Sequence, residues 1–343
     1  MKILLFADLH MCPRSSIVNK WGTIYPQRLE NCIQTMNWVE RTAEELGCNM
    51  VVGLGDFFDR PDLNSETITA LMDISWAKIP HTFIVGNHDA STSSLEFNAV
   101  NCLKMAGCQV LTKATTIEAG NSELCFLPYV TESERQPLDA YFGAMTNKNR
   151  ILFAHTDISG IQMGPVVSKT GFPLEELEAG CTLCFNGHLH NGHQVSSKVI
   201  NLGNLTGRDF GEDAFRYEHR IAILDTDSLE VQYIENPYAL NFYKVNLEFK
   251  EDIEILANLK ANAVVSVGCP SSILVDTRNF IDSLGKQLLE TRVTTIFTGV
   301  DTDTSETPTL DLSVDHLARF IECCRNNIDN TPILEAELNE ICK

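Results

Sequence analysis

Residues 83–89 read FIVGNHD, an apolar run that closes on glycine and then presents Asn87, His88 and Asp89 in succession. An apolar run ended by Gly and Asn is the pattern of a buried strand entering a turn, and a turn alone would account for those polar residues. The pattern recurs, however. Asp8 and His10 follow KILLFA, Asp56 follows VVGLG, His155 follows RILFA, and His188 and His190 follow LCFNG. Five strands that each end in metal-capable side chains point to one shared site at the strand ends. Asp8 and His10, two residues apart, are expected on the same side of an extended segment.

The stretches 2–8, 49–55, 82–86, 124–129, 150–155, 182–187, 198–203, 220–226 and 229–235 are β-rich. Residues 26–47 and 64–77 carry helical spacing, with Leu29, Ile33, Met36 and Val39 on one face. This order predicts an α/β domain over residues 1–235, a four-layer α-β-β-α sandwich with two sheets face to face and helices outside. A Pro-containing turn, ENPYALN (235–241), marks a linker. Residues 242–299 then read as a small α/β module with a helix near 276–291, and the acidic VDTDTSETPT (300–309) as a second linker. Residues 310–343 read as helical, with Val314, Leu317, Ile321, Cys324 and Ile328 forming one apolar stripe.

A chain of 343 residues with 44% apolar content has room for one large domain and one or two small ones. It holds no run of 18 uncharged apolar residues, and MKILLFADLH acquires Asp8 and His10 too early for a signal peptide. A soluble cytoplasmic protein without a membrane partner is expected. The twelve cysteines are scattered through apolar runs, which suits a reducing compartment. Cys181 and Cys184 have CxxC spacing, but no second CxxC completes a structural zinc set. With 26 basic and 46 acidic residues the net charge is −20. Such a chain does not bind nucleic acid by general phosphate attraction, so any contact with it must be local, metal-assisted or shared with a partner.

Carboxylate, imidazole and amide donors without thiolate suit Mn2+, Fe2+ or Zn2+. Seven of them, Asp8, His10, Asp56, Asn87, His155, His188 and His190, exceed the needs of one ion and suit two that share a bridge. Two ions about 3.5 to 4 Å apart clamp a phosphate, lower the pKa of the water between them and leave a bridging hydroxide ready for in-line attack. His88 is then placed to do chemistry beside the metals.

Taken in order, DxH (Asp8, His10), GDxxD (Gly55 to Asp59), GNHD (Gly86 to Asp89), His155 and GHxH (Gly187 to His190) resemble the calcineurin-like metallophosphoesterase superfamily. The resemblance implies that Asp8, His10 and His190 hold one divalent ion, that Asn87, His155 and His188 hold the other, and that Asp56 bridges. It makes His88 the general acid, with Asp59 or Asp89 to orient its imidazole, and Mn2+ the preferred metal ahead of Mg2+ or Fe2+. Protein phosphatases of the superfamily carry an Arg before GNH and a Gly after the GDxxDR block; Val85 and Pro61 stand there instead.

The layout beyond residue 235 is similar to that of the SbcD-like nuclease subunit of double-strand-break repair complexes, including its compact phage form. That resemblance implies a 3′–5′ DNA exonuclease with endonuclease activity as a further expectation, acting as a homodimer with an SMC-like coiled-coil ATPase, in the host cytoplasm if phage-encoded. It makes residues 242–299 a DNA-capping domain and residues 310–343 the segment that binds the ATPase. Many relatives carry His where Asp59 stands here, so endonuclease activity does not transfer directly. Arg14, Lys20, Arg60, Lys169 and Arg208, on loops beside the motifs, are the candidate local DNA contacts. The alternative, a small-molecule or cyclic-nucleotide phosphodiesterase, explains the metal motifs but not residues 236–343.

Overall fold

Apolar side chains alternate along the first strand, and that alternation decides how the layers stack. In the computed structural model, which describes residues 1–91, 94–163 and 166–296, β1 (Lys2–Phe6), β2 (Met50–Gly53), β3 (His81–Ile84) and β4 (Gln109–Leu111) run parallel. With β11 (Arg220–Asp225) and β12 (Val231–Glu235) they form a six-stranded sheet of order β12-β11-β1-β2-β3-β4. The second six-stranded sheet comprises β5 (Thr115–Ala119), β6 (Ser122–Leu127), β7 (Asn149–His155), β8 (Leu183–Gly187), β9 (His193–Gln194) and β10 (Val199–Asn201), in the order β9-β10-β8-β7-β6-β5. β6, β7, β8 and β10 are parallel.

Ile3 and Leu5 point into a core shared with Val52 and Leu54 of the first sheet and with Phe126, Phe153 and Phe185 of the second. Leu4 and Phe6, one residue out of phase, pack instead against Leu29, Cys32, Met36 and Val39 of α1 (Gln27–Glu45). On the far side Leu152 and Cys184 face α3 (Leu138–Phe142) and α4 (Leu174–Gly180) through Leu138 and Leu177. A period of two thus sends each strand's side chains to two different layers. The expected α-β-β-α stack follows. Cys181 and Cys184 are core residues here, the Cys181 thiol donating to the Leu177 carbonyl at 2.9 Å.

Three expectations need correction. The helix read over 64–77 is α2 (Ser65–Leu71), capped by the Asn64 side chain. Past Met72, side chains of α1 capture the backbone: Asn37 takes the Ser75 amide (2.7 Å) and Glu40 the Ala77 amide (3.0 Å), so those amides do not continue a helix. The helix near 276–291 is α5 (Leu274–Leu284), ended by Gly285 at φ 56°. Residues 288–295 belong to a strand. Finally, β4, β5 and β9 were not legible as strands, being short or polar.

Residues 241–296 carry a sheet of three parallel strands, β13 (Asn241–Asn246), β14 (Ala263–Cys269) and β15 (Leu288–Thr295), with α5 against it. Their own apolar cluster includes Val245, Leu256, Val265, Val267 and Leu288. Met1–Ile296 form one compact unit. The helical segment expected at 310–343 lies outside the described residues. Among the described residues no helix is long and apolar enough to cross a membrane.

Candidate metal centre

The loops that leave β1, β2 and β3 in one sheet and β7 and β8 in the other meet at the strands' carboxyl ends, where open parallel sheets place their ligands. The chain after β1 is zipped to the chain after β2: the Asp8, His10 and Met11 amides donate to Gly55, Asp56 and Phe57 carbonyls at 3.2, 2.9 and 2.8 Å. Asp8 and His10 do not share a side through extended geometry, as their spacing suggested. Both are left-handed, φ 51° and 46°, as are Asp56 (50°) and His188 (77°). Left-handed backbone is unfavourable for residues with a Cβ, and four such positions in one site mark strain held by the surrounding fold. The glycine of GNHD is needed for space: a Cβ on Gly86 would collide with the Asp56 carboxylate and amide.

Among the described residues three overlapping groups of donors converge, one of them formed by His10, Asp56 and His88. In the first, Asp8, His10 and His190 offer atoms within 4.8 Å of one another. His10 Nε2 and His190 Nε2 face each other at 3.0 Å. His190 Nδ1 lies 2.8 Å from Glu212, which leaves its Nε2 lone pair for the centre, whereas the buried His10 Nδ1, 3.5 Å from Asp59, makes no hydrogen bond. In the second group, Asp56, His155 and His188 meet the same limit, with Asn87 Oδ1 3.0 Å from His155 Nε2 and 2.9 Å from His188 Nδ1. His155 Nδ1 donates to the Leu54 carbonyl at 2.7 Å and His188 Nε2 lies 3.1 Å from Asp157. Asp56 Oδ2 sits between the groups, 3.7 Å from His10 Nε2 and 3.3 Å from His155 Nε2. Imidazoles oriented by an oxygen on the far nitrogen, around a shared carboxylate, are the donor arrangement a pair of divalent cations requires. The residues fit such a pair.

The structure brings all seven expected donors together, with His88 beside them. It corrects how His88 is oriented. Its Nδ1 donates to the backbone carbonyl of Asp59 at 3.0 Å, not to a carboxylate. The Asp59 side chain turns to His10 and to Arg208, 3.1 Å away. Asp89 does not reach the imidazole either, and it caps no helix. Fully buried, it accepts the Phe58 and Gly86 amides, each at 2.9 Å, and so braces the GDxxD and GNHD loops together. Two further carboxylates belong to the site. Asp157 follows His155 by two residues and could have been suspected from that spacing; Glu212, 22 residues past His190 in an irregular loop, left no signal.

Burial opposes the charged form of His10 and lowers its pKa, although Asp59 and Asp56 lean the other way. Burial also disfavours ionised Asp56, but His155 and His10 outweigh it and hold the carboxyl below its usual range. At Asp89 burial and the nearby Asp56 charge push the pKa up. Asp59 falls to about 2, where burial is overcome by His10 and Arg208. Asp56 and Asp59 are therefore anionic at neutral pH, and Asp89 behind them is not held so.

Among solved structures the chain is similar to a dimetal phosphatase from Danio rerio (14% identity, 68% of this chain and 98% of that one, TM-score 0.42) and to TT1561 of Thermus thermophilus (12%, 68% and 98%, TM-score 0.40). It is also similar to Yfce, a phosphoesterase from E. coli (13%, 69% and 100%, TM-score 0.33). No curated protein matches it. The family model described as calcineurin-like phosphoesterase matches residues 1–216, a span that includes every donor and ends just past Glu212. The chain belongs to the calcineurin-like phosphoesterases and is a phosphoester hydrolase.

Proposed function

We propose that this hydrolase is a metal-dependent DNA nuclease, a 3′–5′ exonuclease working as a homodimer with an SMC-like coiled-coil ATPase in recombination, repair or replication. One observation carries the reading: residues 241–296 grip both loops that flank the centre. Val18, on the loop after His10, packs with Leu240, Phe242 and Val264, and Arg292 donates to the Ser16 carbonyl at 2.9 Å. On the other side Phe242 accepts the Ala214 amide at 2.9 Å, two residues past Glu212. Hydrolysis of a small diester needs no second body there, whereas holding a polymer does. Large apolar side chains exposed at and beside α2, Ile68 and Met72, support self-association.

Asp8, His10 and His190 would hold one ion, Asn87, His155 and His188 the other, and Asp56 both. Divalent ions, Mn2+ before Mg2+ or Fe2+ on an imidazole-rich donor set, supply Lewis acidity and an activated water when bound. His88, its Nδ1 tied to the Asp59 carbonyl, presents Nε2 to protonate the leaving oxygen as the P–O bond breaks. The acidic balance of the chain favours a second reading, hydrolysis of small or cyclic phosphodiesters. Incubation with 3′- or 5′-end-labelled single-stranded and duplex DNA in Mn2+, Mg2+ or EDTA separates the two. We expect stepwise loss from the 3′ end, strongest in Mn2+ and absent in EDTA. Turnover of bis(p-nitrophenyl) phosphate with no DNA cleavage in any metal would leave the small-diester reading standing instead.

A further inference from the structure

The loops that carry His188 and His190 also wall a cavity of about 1020 Å3 that opens directly from the metal centre. Its lining is largely apolar, from Ile161, Leu174, Leu189 and Val195, with the ring of Tyr217 on one side and Arg216 beside it. Breaking a P–O bond uses none of these groups. Two acids line the cavity as well, Asp209 and Glu212, which makes it unsuited to a phosphate. Glu212 is engaged by His190 and by the Arg208 amide, and Asp209 accepts the Gly211 amide. Arg216 is drawn toward Asp213, 3.6 Å away. A neutral, flat, carbon-rich group attached to a phosphate that sits on the metals matches this lining.

A nucleobase is such a group, with apolar faces for Tyr217 and the aliphatic walls and a polar edge for the remaining contacts. His193, in the cavity wall, offers one of these: its Nδ1–H donates to the Asn191 carbonyl at 2.8 Å, which leaves Nε2 as an acceptor. A smaller cavity of about 360 Å3 shares Arg216 and Tyr217 and adds Arg220, Lys260 and the exposed Phe215. Its cations are partly answered by Glu218 within the cavity and by Glu235, which pairs with Lys260. The two spaces adjoin through Arg216 and Tyr217, which leaves room beside the first cavity for the next part of a strand.

A base inside a duplex is stacked on both faces and paired along its edge, so it can enter an apolar cavity only after leaving the helix. From the nuclease reading, on which this rests, we infer that the cavity beside His188 and His190 seats one unpaired nucleobase next to the scissile phosphate. The substrate of the centre is then a single strand or an opened end. Duplex is trimmed only as its end pairs separate.

The test uses single-stranded oligonucleotides that are intact, or abasic at the 3′-terminal or the penultimate nucleotide, with the full chain in Mn2+. The wild-type protein should lose about 10- to 100-fold in kcat/KM on one of the two abasic strands, the range set by stacking one base on an aromatic side chain. Val195→Trp, which fills the cavity, and Tyr217→Ala, which removes its flat wall, should each bring the intact-to-abasic ratio toward one, because a base that cannot be seated is not missed. Metal content, measured on both variants, shows that the centre is intact, and Tyr217→Ala serves if Val195→Trp does not fold. Equal cleavage of intact and abasic strands by the wild-type protein, or a ratio unchanged in Tyr217→Ala, would overturn the assignment while the nuclease reading stood. If no DNA is cleaved although bis(p-nitrophenyl) phosphate is turned over, the nuclease reading fails and the base seat with it.

Discussion

His88 and Asp56 are joined by a 2.8 Å hydrogen bond from the His88 amide to Asp56 Oδ1, yet their side chains have different work. The His88 imidazole is fixed by a backbone carbonyl, and although it lies near His10 and Asp56, removing it leaves all seven expected donors in place. His88→Ala should therefore lower kcat by roughly 10²- to 10⁴-fold, the usual cost of losing a positioned general acid. Two ions per chain should remain by elemental analysis. Asp56→Ala removes the oxygen that lies between the groups and should lose metal together with rate. An empty centre in His88→Ala would mean that the imidazole is a ligand. Asp89, by contrast, acts on the loops rather than on the imidazole, a distinction that GNHD as a string of letters cannot carry.

At the scale of the element, the turn between α2 and β3 depends on one carboxylate. Glu40, buried on α1, takes the Ala77 amide at 3.0 Å and faces His81 Nε2 at 2.8 Å. Its grip helps end the helical run early and seats β3, the strand that leads into GNHD. Glu40→Ala would leave a buried imidazole and a half-buried amide without their partner, a change that costs about 3 kcal/mol. A fall of that size in unfolding free energy, measured by urea titration with metal present, is the expected outcome. A loss below about 1 kcal/mol would show that the turn is held by Asn37 and its neighbours instead.

For the whole molecule, charge and chain length pull the same way. A net charge of −20 leaves little general attraction for DNA, so on the nuclease reading proposed above a partner would supply the cationic surface. Because Met1–Ile296 form one compact unit with the centre inside it, a chain ended at Ile296 should keep two ions and its basal hydrolysis of bis(p-nitrophenyl) phosphate. We propose that it would no longer co-purify with a co-expressed SMC-like coiled-coil ATPase, since residues 310–343 carry the apolar stripe expected to dock there. Retained co-purification would place the docking surface within residues 1–296.

Which residues gather at the centre was readable from the chain alone, because strand periodicity and glycine-ended apolar runs are local properties and five such runs end in donors. The order of β-rich and helical stretches made the layered sheets legible, whereas residues 3–6 are apolar throughout and only packing shows Ile3 and Leu5 facing one layer and Leu4 and Phe6 the other. How the donors are aimed was not readable. The left-handed turns at Asp8, His10, Asp56 and His188 are imposed by amide bonds between loops far apart in sequence. Glu212 and Asp157 orient histidines only because the fold lays their loops against them, and the 64–77 helix stopped at Leu71 because side chains of α1 reached its backbone. A short-range pattern can report what a segment prefers; contacts between segments decide the geometry, since they alone satisfy the buried polar groups that those preferences leave open.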